Sequence, residues 1–286
     1  MPEMPEVDAL IADLRARMVG AVVADVEPAS FAVLKTYDPP LDALRGLTVT
    51  GLHRHGKFID IDVDGLHLVI HLAKAGWLRW SDQLADKRVK VGNGPLALRV
   101  RLDLGDGPHA GFDLTEAGTR KGLAVYLVRD PQEVAGIAAL GPDPLAEGFE
   151  LAPLLARRMQ VKRLLRDQKI LAGIGNAYSD EILHAAKLSP FAIAETLDDD
   201  QVARLSASIH DVLTEALAEA HGKPPADLKD DKRTRMRVHG RTGEACPVCG
   251  DTVAEVTFSD SSLQYCPTCQ TGGTLLKDRS TSKFLK

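Results

Sequence analysis

The chain has 286 residues, of which 44% are hydrophobic and 26% charged, so it is long enough for about two domains with cores of their own. Its formal net charge of −5 gives no general attraction to nucleic acid, and any such partner would need a local basic surface. No apolar run reaches the roughly eighteen residues of a membrane span, and the start lacks the basic and apolar regions of a signal peptide. We therefore expect no membrane partner and a location in the reducing cytoplasm.

The first part of the chain predicts a leading helix followed by strands. After the opening MPEMPEV, apolar residues recur at helical spacing up to a stop at Gly20. From about residue 21 to 130 the pattern alternates, and Asp64-Gly65 separates FIDIDV from LHLVIH as a hairpin turn. We predict a mainly β domain over residues 1–135, a sandwich whose leading helix holds the N-terminus against the core.

The next part of the chain predicts helices. The stretch LGPDPLAEGFEL is rich in Pro and Gly and predicts a linker over residues 136–152, followed by a helical domain over 153–222. Inside it, GIGNAYSDE places Asn176 where a helix N-cap is expected. Free backbone N–H groups at such a turn suit a phosphate, and Lys162 would add charge. A plain helix–helix connection is the alternative explanation of the turn.

The last part of the chain predicts a metal site. Residues 223–237 are expected to form a flexible polar loop. Cys246, Cys249, Cys266 and Cys269 form two CxxC pairs sixteen residues apart, a spacing that supplies four thiolates to one tetrahedral zinc ion. With every ligand position used, the zinc would be structural, in a finger over residues 238–272; a pair of redox dithiols is the alternative. A basic tail over 273–286 follows.

Six motifs spread along the chain resemble those of the formamidopyrimidine-DNA glycosylase and endonuclease VIII family of base-excision repair enzymes. They are MPEMPEV at the start, HGKF around Lys57, LGPDPL at 140–145, DQKILAGIGNAYSDE at 167–181, VHGRTGEACPVCG at 238–250 and YCPTCQ at 265–270. The resemblance implies an α+β multidomain fold with an N-terminal β-sandwich, a helix–two-turn–helix domain and a C-terminal zinc-finger β-hairpin. It also implies a monomer in the bacterial nucleoid, with double-stranded damaged DNA in the cleft between domains.

The resemblance also implies roles for individual residues. Once Met1 is removed, the amine of Pro2 would attack C1′ of a damaged nucleotide flipped out of the duplex, and Glu3 would act as general acid. Lys57 would hold a phosphate near the lesion, although without the resemblance a solvated strand lysine is the simpler explanation. The residues expected to contact DNA are Lys74, Arg120, Lys121, Lys162, Asn176 and Arg241.

The sequence departs from the family where DNA would be held. The family has an arginine five residues before the third cysteine, and this chain has Ser261 there. No Lys or Arg lies between Thr242 and Leu276, and the same stretch has four acidic residues, which would weaken phosphate binding. Lys74 and Lys121 stand where the family has residues that fill the hole left by the flipped nucleotide. The basic tail could replace the missing contacts or be merely solvated.

Three hypotheses follow. The first is a glycosylase and abasic-site lyase with altered lesion preference, because the catalytic residues implied by the resemblance are all present. The second is a damage-binding protein without catalysis, which Ser261 favours. The third is a zinc-dependent interaction module without a DNA role, and the net negative charge is the only feature that favours it. We take the first as the main prediction.

Overall fold

The computed structural model describes residues 1–92, 94–105, 107–117, 121–259 and 261–277. These residues divide into two compact units. The first consists of Met1–Leu140 and Ala220–Lys229, and the second consists of Gly141–Glu219 and the chain from Asp230 onward. Arg120, Asp260 and most of the predicted basic tail, residues 278–286, lie outside the described residues.

The first unit is a β-sandwich with a leading helix, as predicted. Its two antiparallel sheets have the strand orders β1-β6-β7-β5 and β2-β3-β4-β8. The strands are β1 Val22–Pro28, β2 Val49–His55, β3 Phe58–Val63, β4 Leu66–His71, β5 Gly76–Ser81, β6 Leu96–Asp103, β7 Ala110–Glu116 and β8 Ala124–Val128. Apolar side chains of both sheets and of the leading helix, α1 (Met4–Met18), share one hydrophobic core. A short helix, α2 (Ala135–Ala138), places Ile137 in a separate cluster with Val69.

Local sequence accounts for the boundaries of these elements. The apolar residues of α1 that were predicted from spacing are buried, and the chain leaves the helix just before Gly20, which has a φ of +90°. The predicted hairpin joins β3 to β4 through Asp64 and Gly65, whose φ values of 49° and 82° are those of a type I′ turn. Both predictions are confirmed.

The second unit contains the helical segment and the cysteine-bearing hairpin. Its elements are α3 Ala152–Leu155, α4 Val161–Arg166, α5 Asn176–Ala185, most of α6 Asp199–Ala220, and then β9 Ala254–Thr257, β10 Ser262–Tyr265 and α8 Pro267–Thr271. The strands β9 and β10 pair antiparallel. On α6, apolar residues at helical spacing are buried, among them Leu205, Ile209 and Leu213. No helix in the described part of the chain has the length and apolar character needed to cross a membrane.

The prediction of a flexible loop over residues 223–237 was wrong, because this segment contains the helix α7 (Leu228–Arg235). Leu228 is fully buried and anchors the start of the helix. The first turn is acidic and the last turn basic, which complements the helix dipole. In the second unit, Arg235 also pairs with Glu219 of α6 and with Asp231. These contacts, one within the helix and the others with distant residues, stabilise a helix that its polar composition does not predict.

Candidate nucleic-acid interface and metal centre

The helices α4 and α5 are joined by a buried ion pair. Lys162 is 4% exposed, and its Nζ donates to Asp180 Oδ1 at 2.6 Å and to Ser179 Oγ at 2.8 Å. The GIGN turn precedes α5, but Gly175 occupies the N-cap and Asn176 is the first helical residue, so the predicted N-cap was wrong by one position. The Asn176 side chain donates instead to Ser262 O of β10 at 2.8 Å. A phosphate contact by Lys162 or Asn176 stays a prediction.

Asp180 also connects α5 to the cysteine-bearing hairpin. Its Oδ2 lies 2.7 Å from His239 Nδ1 and accepts the backbone N–H of Gln264 at 3.3 Å. The carboxylate is fully buried, so the contacts with Lys162, His239 and Gln264 replace its hydration. One side chain thus joins α4, α5, β10 and the segment before the cysteines.

The neighbouring Glu181 fixes the chain that enters the zinc finger. Its carboxylate accepts the backbone N–H groups of Arg237, Val238 and His239 at 2.7, 3.0 and 2.9 Å. Burial raises the pKa of Glu181, and the three hydrogen bonds act in the opposite direction. The carboxylate therefore holds the VHG segment against α5.

The four cysteines form a site that fits zinc. Their Sγ atoms all lie within 4.8 Å of one another, with Cys249 and Cys266 3.3 Å apart and Cys246 and Cys269 3.9 Å apart. A tetrahedral zinc ion with Zn–S bonds of about 2.3 Å requires sulfur separations of about 3.8 Å. The metal would occupy all four thiolates, so its role is structural, as predicted.

A histidine of α5 contacts one of these sulfurs. His184 is buried, and its Nε2 lies 3.3 Å from Cys246 Sγ. Burial, and secondarily the charge of Arg237, lower the pKa of His184, which favours the neutral imidazole. Its Nδ1 is buried without a hydrogen-bond partner among the described residues. The tautomer with the proton on Nε2 is therefore favoured, because it donates to the thiolate and leaves only a lone pair unsatisfied.

We predict that His184→Phe releases zinc about tenfold faster to a chromophoric chelator, because the thiolate of Cys246 loses its hydrogen-bond donor. Release would be followed by absorbance under native conditions. His210→Phe on the exposed surface of α6 is the control and should leave the rate unchanged. Equal release from both variants would contradict a role of His184 at the metal site.

In the first unit, Pro2 and Glu3 are buried where the chain enters α1. Glu3 is 2% exposed, and its backbone N–H donates to Glu6 Oε2 at 2.8 Å. Met4 and Val7, in the first turns of the helix, are fully buried, so the start of the helix is packed into the unit. The N-terminal segment is therefore held in place, as the leading helix predicted.

Lys57 lies in the turn between β2 and β3, beside His71. Lys57 is 7% exposed, and the ring of His71 lies 4.7 Å from that of Phe58. Burial, together with the positive charge of Lys57, lowers the pKa of His71 from 6.5 to about 4. His71 is thus neutral near pH 7, and of these two residues Lys57 alone carries a positive charge.

The pKa of His71 predicts a loss of stability in acid. The unfolded chain protonates this histidine near pH 6.5 and the folded chain near pH 4, so stability is present above pH 6.5 and is lost as the pH falls to about 4. The loss attributable to His71 is about 3 kcal/mol. Urea denaturation of the wild type and of His71→Gln between pH 7 and 4 would measure it. Parallel curves for the two proteins would contradict the prediction.

The remaining predicted DNA contacts lie in different surroundings. Lys74 is exposed in the turn before β5, and Lys121 Nζ donates to Gly94 O at 2.9 Å. Arg241 directs three guanidinium nitrogens to its own unit, to Met236 O, Thr234 O and Glu244 Oε2. Contacts of these residues with DNA stay predictions, and Arg120 lies outside the described residues.

Sequence reasoning missed several residues of this site. Four residues connect α5 to the zinc finger: Asp180, Glu181, His184 and His239. Three of them lie in the motifs that carry the family resemblance, but nothing in those motifs indicates that they contact one another or the finger. Pairing between residues 59 positions apart in sequence leaves no local pattern. The tertiary structure was needed to find them.

Family models match most of the chain in three successive segments. The formamidopyrimidine-DNA glycosylase N-terminal domain matches residues 1–121, its H2TH domain matches 140–224, and the zinc finger found in FPG and IleRS matches 243–272. The formamidopyrimidine-DNA glycosylase of Moorella thermoacetica is 34% identical over 273 residues, 90% of this chain and 94% of the relative. An uncharacterized formamidopyrimidine-DNA glycosylase-like protein of Mycobacterium tuberculosis is 55% identical over 150 residues, 52% of this chain and 95% of the relative.

Solved structures show the same fold. The MutM (Fpg) protein of Thermus thermophilus matches with a TM-score of 0.78 and 28% identity, over 96% of this chain and 100% of that one. Lactococcus lactis Fpg in complex with abasic-site DNA matches with a TM-score of 0.81 and 24% identity, over 94% and 99% of the two chains. At that identity the second match supports the fold alone.

The β-sandwich, the helix–two-turn–helix segment and the four-cysteine site define a zinc-finger protein of the DNA-repair glycosylase class. The chain belongs to the formamidopyrimidine-DNA glycosylase family, whose members are DNA glycosylases and abasic-site lyases that act on damaged bases. The predicted family, fold class and structural zinc are confirmed.

Proposed function

We propose that this chain is a base-excision repair DNA glycosylase with abasic-site lyase activity, acting as a monomer on damaged double-stranded DNA at the nucleoid. Its nucleophile is the amine of Pro2, which becomes free when Met1 is removed. An α-amine has a pKa near 8, so a useful neutral fraction exists at cellular pH.

The reaction uses residue types that suit each step. The Pro2 nitrogen attacks C1′ of the flipped nucleotide, the bond to the base breaks, and Glu3 protonates the opened sugar as general acid. A secondary amine can form only a cationic iminium, and this electron sink promotes elimination of the 3′ and then of the 5′ phosphate. Lys57 holds a phosphate close to the lesion. Water finally hydrolyses the iminium and regenerates the amine.

The observation that supports this proposal most directly is the placement of Pro2 and Glu3. Both are buried at the entry to a helix whose first turns are packed into the core of the unit, so their backbone is held in one place. Positioned reactive groups lower the entropy cost of the reaction. Family membership supplies the expectation that the nucleophile acts on damaged DNA.

Ser261 favours a second candidate, a protein that binds damaged or abasic DNA without catalysis. The acidic residues of the finger weigh less than their number suggests, because three of them have partners inside it. Glu244 pairs with Arg241, Asp251 accepts the Thr268 hydroxyl, and Glu255 accepts Gln264 Nε2. The cost of these carboxylates near phosphates is correspondingly smaller.

Borohydride trapping on an abasic-site duplex separates the two candidates. The mature protein, shown by mass to begin at Pro2, should give a covalent adduct that forms more slowly with Pro2→Gly, because its primary amine forms an imine in place of the permanently cationic iminium. Glu3→Gln should slow base excision while it leaves duplex binding intact. Absence of an adduct, from protein that binds the same duplex, would refute the enzyme and leave the binding protein.

A further inference from the structure

On the second unit, α4 and the β9–β10 hairpin border an open groove of about 470 Å³. Arg163 and Arg166 line one side, and Phe258 and Ser261 line the other. All four residues belong to the same compact unit. Lys162, which pairs with Asp180 in the buried network, also lines the groove.

The two arginines are exposed, three positions apart on α4, and available to a ligand. Neither guanidinium has a hydrogen bond or ion pair with any described residue, and both side chains are exposed. Elsewhere the chain pairs arginines closely with carboxylates, as in Arg99 with Asp113 at 2.7 Å. Two unpaired guanidinium groups on one helical face suit phosphate oxygens, which they can bind in a bidentate manner.

Positive charge predominates among the described residues that line the groove. Lys162 is one of the lining residues, but Asp180 neutralises it at 2.6 Å, so it adds little to the local field. Asp167 is the one carboxylate in the lining, and its Oδ1 accepts the backbone N–H of Lys169 at 3.0 Å. Among the described lining residues, two unpaired guanidinium groups and one engaged carboxylate make this part of the surface basic in a chain with a net charge of −5.

The opposite side of the groove offers an apolar surface. Phe258 lies at the hairpin turn and is 38% exposed, and its backbone N–H donates to Ser261 O at 2.8 Å. That hydrogen bond holds the backbone of Phe258 in place and so limits where its ring can lie. An exposed aromatic side chain beside unpaired arginines is suited to the alternating phosphates and sugars of a nucleic-acid backbone.

We propose that this groove binds the sugar–phosphate backbone of DNA, with Arg163 and Arg166 on phosphates and Phe258 against the intervening sugar. The inference rests on the proposed function to the extent that DNA is the ligand. It gives the chain a source of phosphate binding next to Ser261, where the hairpin has no cation. Backbone contacts carry no sequence information, so they serve intact and damaged duplexes alike.

The test is the salt dependence of duplex binding by the full-length, zinc-loaded protein, measured by fluorescence anisotropy between about 50 and 200 mM salt. Each lost phosphate contact lowers the slope of log K against log salt by about 0.9. We expect Arg163→Gln and Arg166→Gln each to weaken binding about tenfold and the double variant to lower the slope by about 2. Phe258→Ala should weaken binding about fivefold with an unchanged slope.

Arg158→Gln is the matched control, since Arg158 belongs to the same unit, is exposed and lies outside the groove lining. If the double variant keeps the slope of the wild type and of the control, the groove is refuted while the proposed function stands. If the wild type itself shows no salt-dependent affinity for any duplex, the proposed function fails and this inference with it. Melting temperature and zinc content would confirm that the variants are folded.

Discussion

Asp180→Ala is expected to lower the free energy of unfolding by about 3–5 kcal/mol, the usual cost of removing one partner from a buried ion pair. Asp180 is fully buried, and its removal would take this carboxylate away from the amine of Lys162, which is 4% exposed. His239 and the backbone N–H of Gln264 would lose their acceptor as well. Urea denaturation followed by circular dichroism would measure the loss at pH 7.

Two further variants make this prediction specific. Asp180→Leu combined with Lys162→Met should recover part of the stability, because no unpaired buried charge then remains. Asp211→Ala, at an exposed residue whose one ion pair within the described chain is with His210, should change stability by less than about 0.5 kcal/mol. A loss from Asp180→Ala no larger than that of the control would show that the buried pair does not stabilise the unit.

Removal of zinc is expected to unfold the finger over residues 243–272. The core of this module is small, with Val238 and Val253 packed against Cys246 and Cys266. Structural zinc supplies about 10–16 kcal/mol of apparent binding free energy in modules of this kind, far more than such a core. Chelation or Cys266→Ser should therefore abolish hydrogen-exchange protection of β9 and β10, and zinc should restore it only in the wild type.

The matched control for the zinc experiment is Thr268→Ala, at a position between two ligands. Its hydroxyl and backbone N–H both contact Asp251, so loss of the hydroxyl should cost about 1 kcal/mol without loss of metal. Protection of the hairpin that survives in metal-free protein would mean that contacts with α5, such as Asn176 to Ser262, suffice to fold it.

Local patterns in the sequence determined much of this protein. The 3.6-residue spacing of α1 and α6, the alternation of β3 and β4 around Asp64-Gly65, and the two CxxC pairs each lie within a short stretch of chain. Their physical basis is local too: the period of a helix or strand, the φ of a turn, and the ligand spacing of a metal. The β-sandwich and the zinc site were therefore predictable.

Only the tertiary structure decided which polar side chains are buried in ion pairs and which are exposed and available to a ligand. Lys162, predicted to add charge for a phosphate, is buried against Asp180, whereas Arg163 beside it is exposed and unpaired within the described chain. The helix α7 forms because Leu228 is buried and because Arg235 pairs with the carboxylate of Glu219. Burial and ion pairing depend on contacts between distant parts of the chain, and a linear pattern of residues carries no record of them.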